Sequence, residues 1–382
     1  MLSRRVVLLL AVAAAVSVAN LYYCQPLLEL MGRAVNAPAS AMGALAMLGQ
    51  AGYGVGMMLI VPLGDMLERK RLIVSLCVLV AGFLALMGLA PTLPLMMAAS
   101  FAIGVTTCAP QLILPYAATL ATPQTRGRIV GTITSGLLIG ILLSRTVSGL
   151  VGEHAGYRAV YLGAAGLMLA LALLLFVSLA PQRPAKPLRY IELIESIWRL
   201  SRTQPVLRHH TLLGALTFAG FGAFWTTLSF HLATPPLHSG GDIAGLYGLI
   251  GVAGALVAPL VGRLADQGNR GRTNLISICI CAAAFALFAL LGNSLMGIAL
   301  GVLLLDIGVQ GNHVTNQALL YSLEASLHSR LNALYMTGYF IGGAAGSALA
   351  TAAFVRAGWL GVCAVGFGLS IAALIVYLNP PR

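Results

Sequence analysis

Read from its amino end, the chain alternates long apolar runs with short polar ones, and runs such as Leu72 to Ala90 and Val160 to Leu179 contain no charged residue at all. Their length matches the roughly 20 residues an α-helix needs to cross the hydrocarbon core of a bilayer. A membrane β-barrel would instead show segments of about ten residues with every second one apolar. Because nothing in the bilayer interior hydrogen-bonds an exposed backbone, spanning helices are the reading that remains. Twelve are predicted, at 5–30, 41–63, 72–90, 94–120, 127–151, 158–180, 207–233, 241–264, 273–291, 294–322, 329–353 and 358–378. Arg4 and Arg5 before the first run resemble the start of a signal peptide. The run continues through Leu21 and Tyr22 to Leu30, however, and Tyr23 before Cys24 is too large for lipoprotein processing, so the segment is expected to stay as the first helix.

Composition agrees and adds a limit. Of 382 residues, 59% are hydrophobic and only 8% charged, which excludes a water-soluble protein. Twelve helices of about 20 residues leave no room for a sizeable extramembrane domain. The net charge of +12 could suggest nucleic acid, but its placement says otherwise. Of the 22 lysines and arginines, eighteen fall on the side that holds both termini, three (Arg33, Arg158 and Arg356) on the other, and Arg145 inside a span. The positive-inside rule then puts both termini in the cytoplasm. All six cysteines fall within predicted spans without paired loop spacing, so free thiols are expected, with neither metal nor cofactor.

The region from Pro181 to Pro205 breaks the pattern: prolines, cations and a short amphipathic stretch at Tyr190 to Leu200. It divides the chain into an N-terminal six-helix unit (1–180), a cytoplasmic linker (181–206) and a C-terminal six-helix unit (207–382). The halves repeat. Arg128 matches Arg330, Gly136 matches Gly338, Gly140 matches Gly342, and Ala155-Gly156-Tyr157 matches Ala357-Gly358-Trp359, each 202 positions later; Asp65 matches Asp266 at 201. An even number of helices per copy inserts both copies the same way up, related by an axis along the membrane normal, with a binding site expected between them.

On these residues the sequence resembles the major facilitator superfamily, over essentially its whole length. The loop signature PLGDMLERKR (62–71) keeps Asp65, Arg69, Lys70 and Arg71, with Val61 and Glu68 at two usual glycine positions. Its copy in PLVGRLADQGNRGR (259–272) keeps Gly262, Asp266 and Arg270, with Asn269 for the later glycine. More narrowly, NLYYCQPLL (20–28), RGRIVGTITSGLLIGILLSRTVSG (126–149), LDIGVQGNHVTNQAL (305–319) and SRLNALYMTGYFIGGAAGS (329–347) resemble a bacterial efflux group related to sugar and purine-nucleoside exporters. The resemblance implies an all-α membrane protein, twelve helices in two pseudo-symmetric bundles, that alternates access by rocking one half against the other. It also implies that helices one, four, seven and ten line the central cavity, which selects Asn20, Tyr23, Gln111, Phe221, Trp225, Asp306, Gln310 and His313. The loop acids Asp65 and Asp266, with Arg69, Arg128, Arg270 and Arg330, would form a cytoplasmic gate in which each acid meets the positive N-terminus of a helix in the opposite half. Plain loop stabilisation by the same cations is the alternative, and the two are compatible.

Among ten acids, Asp306 alone lies mid-span. An ionised aspartate at a helix centre costs about 2.5–3.5 kcal/mol on insertion scales, so something must offset it. Gln310, His313 and Gln317 follow at steps of four, three and four, on one face of the same helix. Burial favours the uncharged form of any ionisable side chain. This stripe is either a proton-coupling and substrate-binding face or a polar seam between packed helices. Asn332, Tyr335 and Tyr339 share a face of the eleventh helix, where Gly342 and Gly346 fit close helix packing. Arg145, in the outer third of the fifth, either faces the interior or snorkels to headgroups. Trp225 lies 202 after Tyr23 and His313 lies 202 after Gln111, at matched depths; either aromatic could instead belong to an interfacial belt.

The expectation is a secondary transporter of the bacterial inner membrane, a monomer embedded in the lipid bilayer, moving a small polar or amphipathic molecule, neutral or cationic, by proton-coupled efflux with Asp306 as carrier. There is no Walker motif. An uncoupled facilitator or a proton symporter is the nearest rival; a polytopic membrane enzyme using His313 and Asp306 would not need two similar halves.

Overall fold

The structure, a computed structural model, describes residues 3–183, 190–251, 270–320, 322 and 328–380. The described residues are helical throughout, with no strand among them. The elements are α1 (Arg4–Ala19), α2 (Cys24–Ala34), α3 (Ala39–Leu59), α4 (Arg69–Leu89), α5 (Leu93–Thr106), α6 (Ala109–Leu120), α7 (Pro123–Ser178), α8 (Tyr190–Thr203), α9 (Pro205–Leu232), α10 (241–251), α11 (Arg270–Leu291), α12 (Leu295–Leu320) and α13 (His328–Leu378). Nine helical stretches among the described residues are long and apolar enough to cross a membrane. Two of them, α7 and α13, each hold two spans, and α10 opens the remaining one. Twelve spans in two six-helix bundles result. The rest of the eighth predicted span, 252–264, and part of the predicted linker, 184–189, lie outside the described residues.

The breaks follow from sequence. The first span is interrupted at Asn20–Tyr23, ahead of Pro26, and the fourth at Thr107–Cys108, ahead of Pro110; each proline leaves a helix one donor short. The repeated Ala-Gly-aromatic motif is the hairpin between the last two spans of each bundle. Gly156 (φ 80°, ψ 159°) and Gly358 (φ 58°, ψ −149°) occupy a backbone region essentially restricted to glycine, so the chain turns at Gly156 in the first copy and at Ala357–Gly358 in the second. The aromatics that follow are buried, and Trp359 anchors its turn by donating from Nε1 to Phe288 O at 3.0 Å while stacking on His231. Gly156→Ala and Gly358→Ala are each expected to lower stability by about 1–3 kcal/mol, measured as the unfolding midpoint in detergent. Equal midpoints for variants and native protein would show the turns to be unstrained.

Within each bundle the first and fifth spans touch through glycine. A Cβ on Gly136 or Gly140 would strike the backbone of Ala11 or Ala15; in the second bundle one on Gly338 would strike the Thr211 side chain, and one on Gly342 the Ala215 backbone. Since Gly140 and Gly342 are 202 positions apart while Ala15 and Ala215 are 200 apart, the second copy gains two residues between the first and fifth spans. Trp225 is therefore the counterpart of Gln25, not of Tyr23 as a uniform shift suggests.

Leucines such as Leu173, Leu290 and Leu360 project outward, as expected for lipid-facing positions. At one end of the first bundle Arg69 gathers three spans: Nε donates to Gly64 O at 3.0 Å, Nη1 to Thr119 Oγ1 and Nη2 to Asp65 Oδ1, both at 3.2 Å, and its backbone N–H reaches Gln182 O. Asp65 thus pairs inside its own bundle, where the resemblance implied a helix of the other half. Asp266 lies outside the described residues, and Arg270 starts α11. Arg128 is exposed and Arg330 half-buried.

Candidate functional site

The bundles meet along two seams of small residues. On one, α3 lies against α13: Gly43 faces Thr351, Gly54 faces Thr337 and Ile341, and Gln50 Nε2 donates to Ser347 Oγ at 3.1 Å. On the other, α7 lies against α10 in the half away from Arg69. Gly149 faces Gly241 and Gly245, while Thr146 Oγ1 donates to Gly245 O at 2.9 Å. At the end of this seam Glu153 Oε2 accepts from Gly241 N–H at 3.3 Å, a carboxylate at the start of a helix of the opposite bundle. The acid-to-helix contact expected of Asp65 is made by Glu153, at the other end of the molecule.

Arg145 lies on this second seam and is 0% exposed, so it faces the interior rather than the headgroups. Its Nε donates to Gln25 Oε1 at 2.7 Å, a buried residue in the first turn of α2, just before Pro26. Its guanidinium carbon sits 3.9 Å from the centre of the Trp225 ring, with Tyr22 at 4.9 Å and Phe221 at 5.2 Å. Such aromatic faces stabilise a desolvated cation by about 2 kcal/mol or more. Among the described residues Nη1 and Nη2 are buried with no hydrogen-bond partner, and none of the ion pairs involves Arg145.

Asp306 is also buried, with Oδ2 unpartnered. A Cβ on Gly251 of α10 would fall 2.8 Å from that oxygen, and one on Gly248 would fall 3.0 Å from Arg145 Cβ. The Asp306 carboxylate and the base of the Arg145 side chain therefore stand against one helix, at positions a single turn apart. They are within electrostatic reach of one another without forming an ion pair.

Two polar faces of α12 separate clearly. Gln310, His313 and Gln317 are half-buried, and His313 Nδ1 lies 3.1 Å from Tyr335 Oη while Gln317 Nε2 donates to Asn332 Oδ1 at 3.3 Å. A neighbouring face of the same helix, about a quarter to a third of a turn round, holds a closed amide network that was not singled out from sequence. Asn312 donates to Asn274, Asn274 to Asn316 and Asn316 to Asn312, the last two at 2.9 Å, with Thr217 and His210 attached. This seam is satisfied among its own members, whereas on the Asp306 face His313 and Gln317 are partnered and the Asp306 Oδ2 is not. A ladder of rings runs from that face: His313 to Tyr339 at 4.8 Å, Tyr339 to Phe218 at 3.9 Å, Phe218 to Phe221 at 5.2 Å and Phe221 to Trp225 at 6.0 Å, ending on Arg145.

Of the remaining candidates, Asn20 is buried with both amide atoms unpartnered, and Gln111 Nε2 donates to Tyr53 Oη at 3.3 Å. Tyr23 packs into the apolar core of the first bundle, and Tyr22 takes the place beside Arg145. Tyr22 and Gln50 were not singled out from sequence; Gln25, the amide immediately before the proline of the first span, stands out there but was not placed in the cavity.

Two bundles packed against each other around buried side chains of opposite charge type fit a secondary transporter. The chain belongs to the Major Facilitator Superfamily, whose family model matches residues 10–327. It is 40% identical to the transporter YgaY of Escherichia coli O157:H7 over 98% of this chain and 95% of that one. In fold it is similar to the nucleoside transporter NupG (TM-score 0.81, 13% identity, covering 98% of this chain and 100% of that chain). It is likewise similar to a D-xylose-proton symporter (TM-score 0.77, 14% identity, covering 98% and 97%).

Proposed function

We propose that this protein exports a small polar or amphipathic molecule across the bacterial inner membrane in exchange for protons, as a monomer with both termini in the cytoplasm. Asp306 carries the proton. The observation that supports this is its buried carboxylate oxygen, unpartnered beside the seam where the bundles meet. Intramembrane acids without a structural partner usually mark ion pathways. The units 1–180 and 207–382 rock about that seam, with 181–206 as the cytoplasmic strap between them. Gln310, His313, Tyr335, Phe221 and Trp225 line the path, together with Asn20, Gln111 and Asn332, and the Arg69 cluster keeps the cytoplasmic end of the first unit rigid as it moves.

The test is transport in proteoliposomes with an acidic lumen, scanned over a panel of small molecules with lumenal pH recorded. Exchange predicts that a substrate accumulates inside while the lumen becomes more alkaline. Equilibration of every transported compound without a pH change would replace exchange by facilitated diffusion, and acidification of a neutral lumen as substrate enters from an acidic bath would replace it by symport.

A further inference from the structure

The exchange reading leaves the chemistry of the substrate open, and Arg145 narrows it. Holding a guanidinium out of water costs several kcal/mol unless it is paired. Gln25 and the aromatic faces of Trp225, Tyr22 and Phe221 account for Nε and for the ring plane, and Nη1 and Nη2 are left over. Two such donors in a fixed plane match the two oxygens of a carboxylate or similar anion. Gln25 and Trp225 come from equivalent positions of the two bundles, so the fork is held from both halves.

An anion alone would give the wrong coupling. It would be repelled by an ionised Asp306 and welcomed by a protonated one, so proton and substrate would travel together. A ligand that competes with the proton must bring a positive charge to Asp306. Gly251 abuts the Asp306 carboxylate and Gly248, one helical turn earlier, abuts the Cβ of Arg145, so both side chains arise beside the same turn of α10. A small molecule seated at that turn can meet both.

We propose that the site takes a zwitterion, its anionic group on the Nη1 and Nη2 donors of Arg145 and its protonated amine on Asp306, with an apolar or aromatic body lying along the Phe218–Phe221–Trp225 ladder. The anionic half of this assignment stands on the geometry; the cationic half rests on the exchange reading above. Trp225 touches the guanidinium and reports on its occupancy.

The experiment measures Trp fluorescence and thermal shift of the purified full-length protein with three probes of one skeleton: phenylalanine, phenethylamine and 3-phenylpropanoate. The native protein is expected to bind phenylalanine at least tenfold more tightly than either single-charge probe. Arg145→Gln should bring phenylalanine down to the level of the amine, and Asp306→Asn should bring it down to the level of the acid. Arg145→Lys, which keeps the charge and loses the fork, should fall between native and Arg145→Gln. An amine or an acid that binds the native protein as tightly as phenylalanine would overturn the proposal, as would binding of none of the three tighter than about 1 mM. These are binding measurements. Should phenylalanine bind as expected while transport proceeds without proton movement, the exchange reading fails and the substrate class stands.

Discussion

Asp306→Asn is expected to abolish accumulation driven by a pH gradient while leaving substrate exchange between the two sides of a membrane intact. A one-unit gradient is worth about 1.4 kcal/mol per proton, enough for roughly tenfold accumulation when one proton moves per molecule. Asparagine has nearly the shape of aspartate and no exchangeable charge, so the site keeps its form against Gly251 and loses both the charge that holds a substrate amine and the ability to be emptied by a proton; exchange then persists at substrate concentrations that offset the weaker binding. The native protein should therefore approach tenfold, and the variant should reach only the external concentration. Counterflow, which needs no net proton movement, should persist in both. Undiminished accumulation by the variant would remove Asp306 from the coupling step and leave its unpartnered oxygen without a role.

Gly140→Leu and Gly342→Leu are the second pair of large effects. In each bundle the glycine lets the fifth span approach the backbone of the first, at Ala15 and at Ala215, and main chain cannot yield as a side-chain tip can. Membrane helices associate largely through such close packing, since lipid is as apolar as leucine. Overpacking a tight contact costs about 1–3 kcal/mol and more where nothing can move. Both variants should melt well below native protein in detergent, and by similar amounts because the contacts are equivalent. Gly163→Leu, at an exposed position where a Cβ meets nothing within 4 Å, should melt with the native protein. A Gly140→Leu protein as stable as the Gly163→Leu control would contradict the packing account.

Much of the architecture is legible in the sequence because it depends on gross properties: apolar runs of bilayer length, prolines and glycines at the breaks, and a repeat strong enough to survive as Ala-Gly-aromatic at both hairpins. Asp306 and Arg145 stand out for the same reason, as charges where charge is costly. What escaped is local. Tyr22 rather than Tyr23 reaches Arg145 because the first span is broken at Asn20–Tyr23, where helical phase no longer tells which side chain points inward. The uniform shift of 202 misaligned Trp225, since two residues are gained inside the second copy, after its first span. The Asn274–Asn312–Asn316 network was invisible because its members sit on different helices, and a polar face of α12 looks the same in sequence whether its partners are amides or a pathway. Glu153 reads as an ordinary loop acid until α10 is seen to begin beside it.

The central claim is that uptake and release of a proton at Asp306 bias which face of the seam is open. It is tested most directly by measuring the distance between spin labels at Ser40 and Arg356, exposed positions near the glutamate-latched end of the two bundles, in protein whose exposed Cys279 has been replaced. Across a pH titration the native protein should shift between a short and a long distance, while Asp306→Asn should hold one distribution at every pH. The same pH-dependent shift in both proteins would contradict the account.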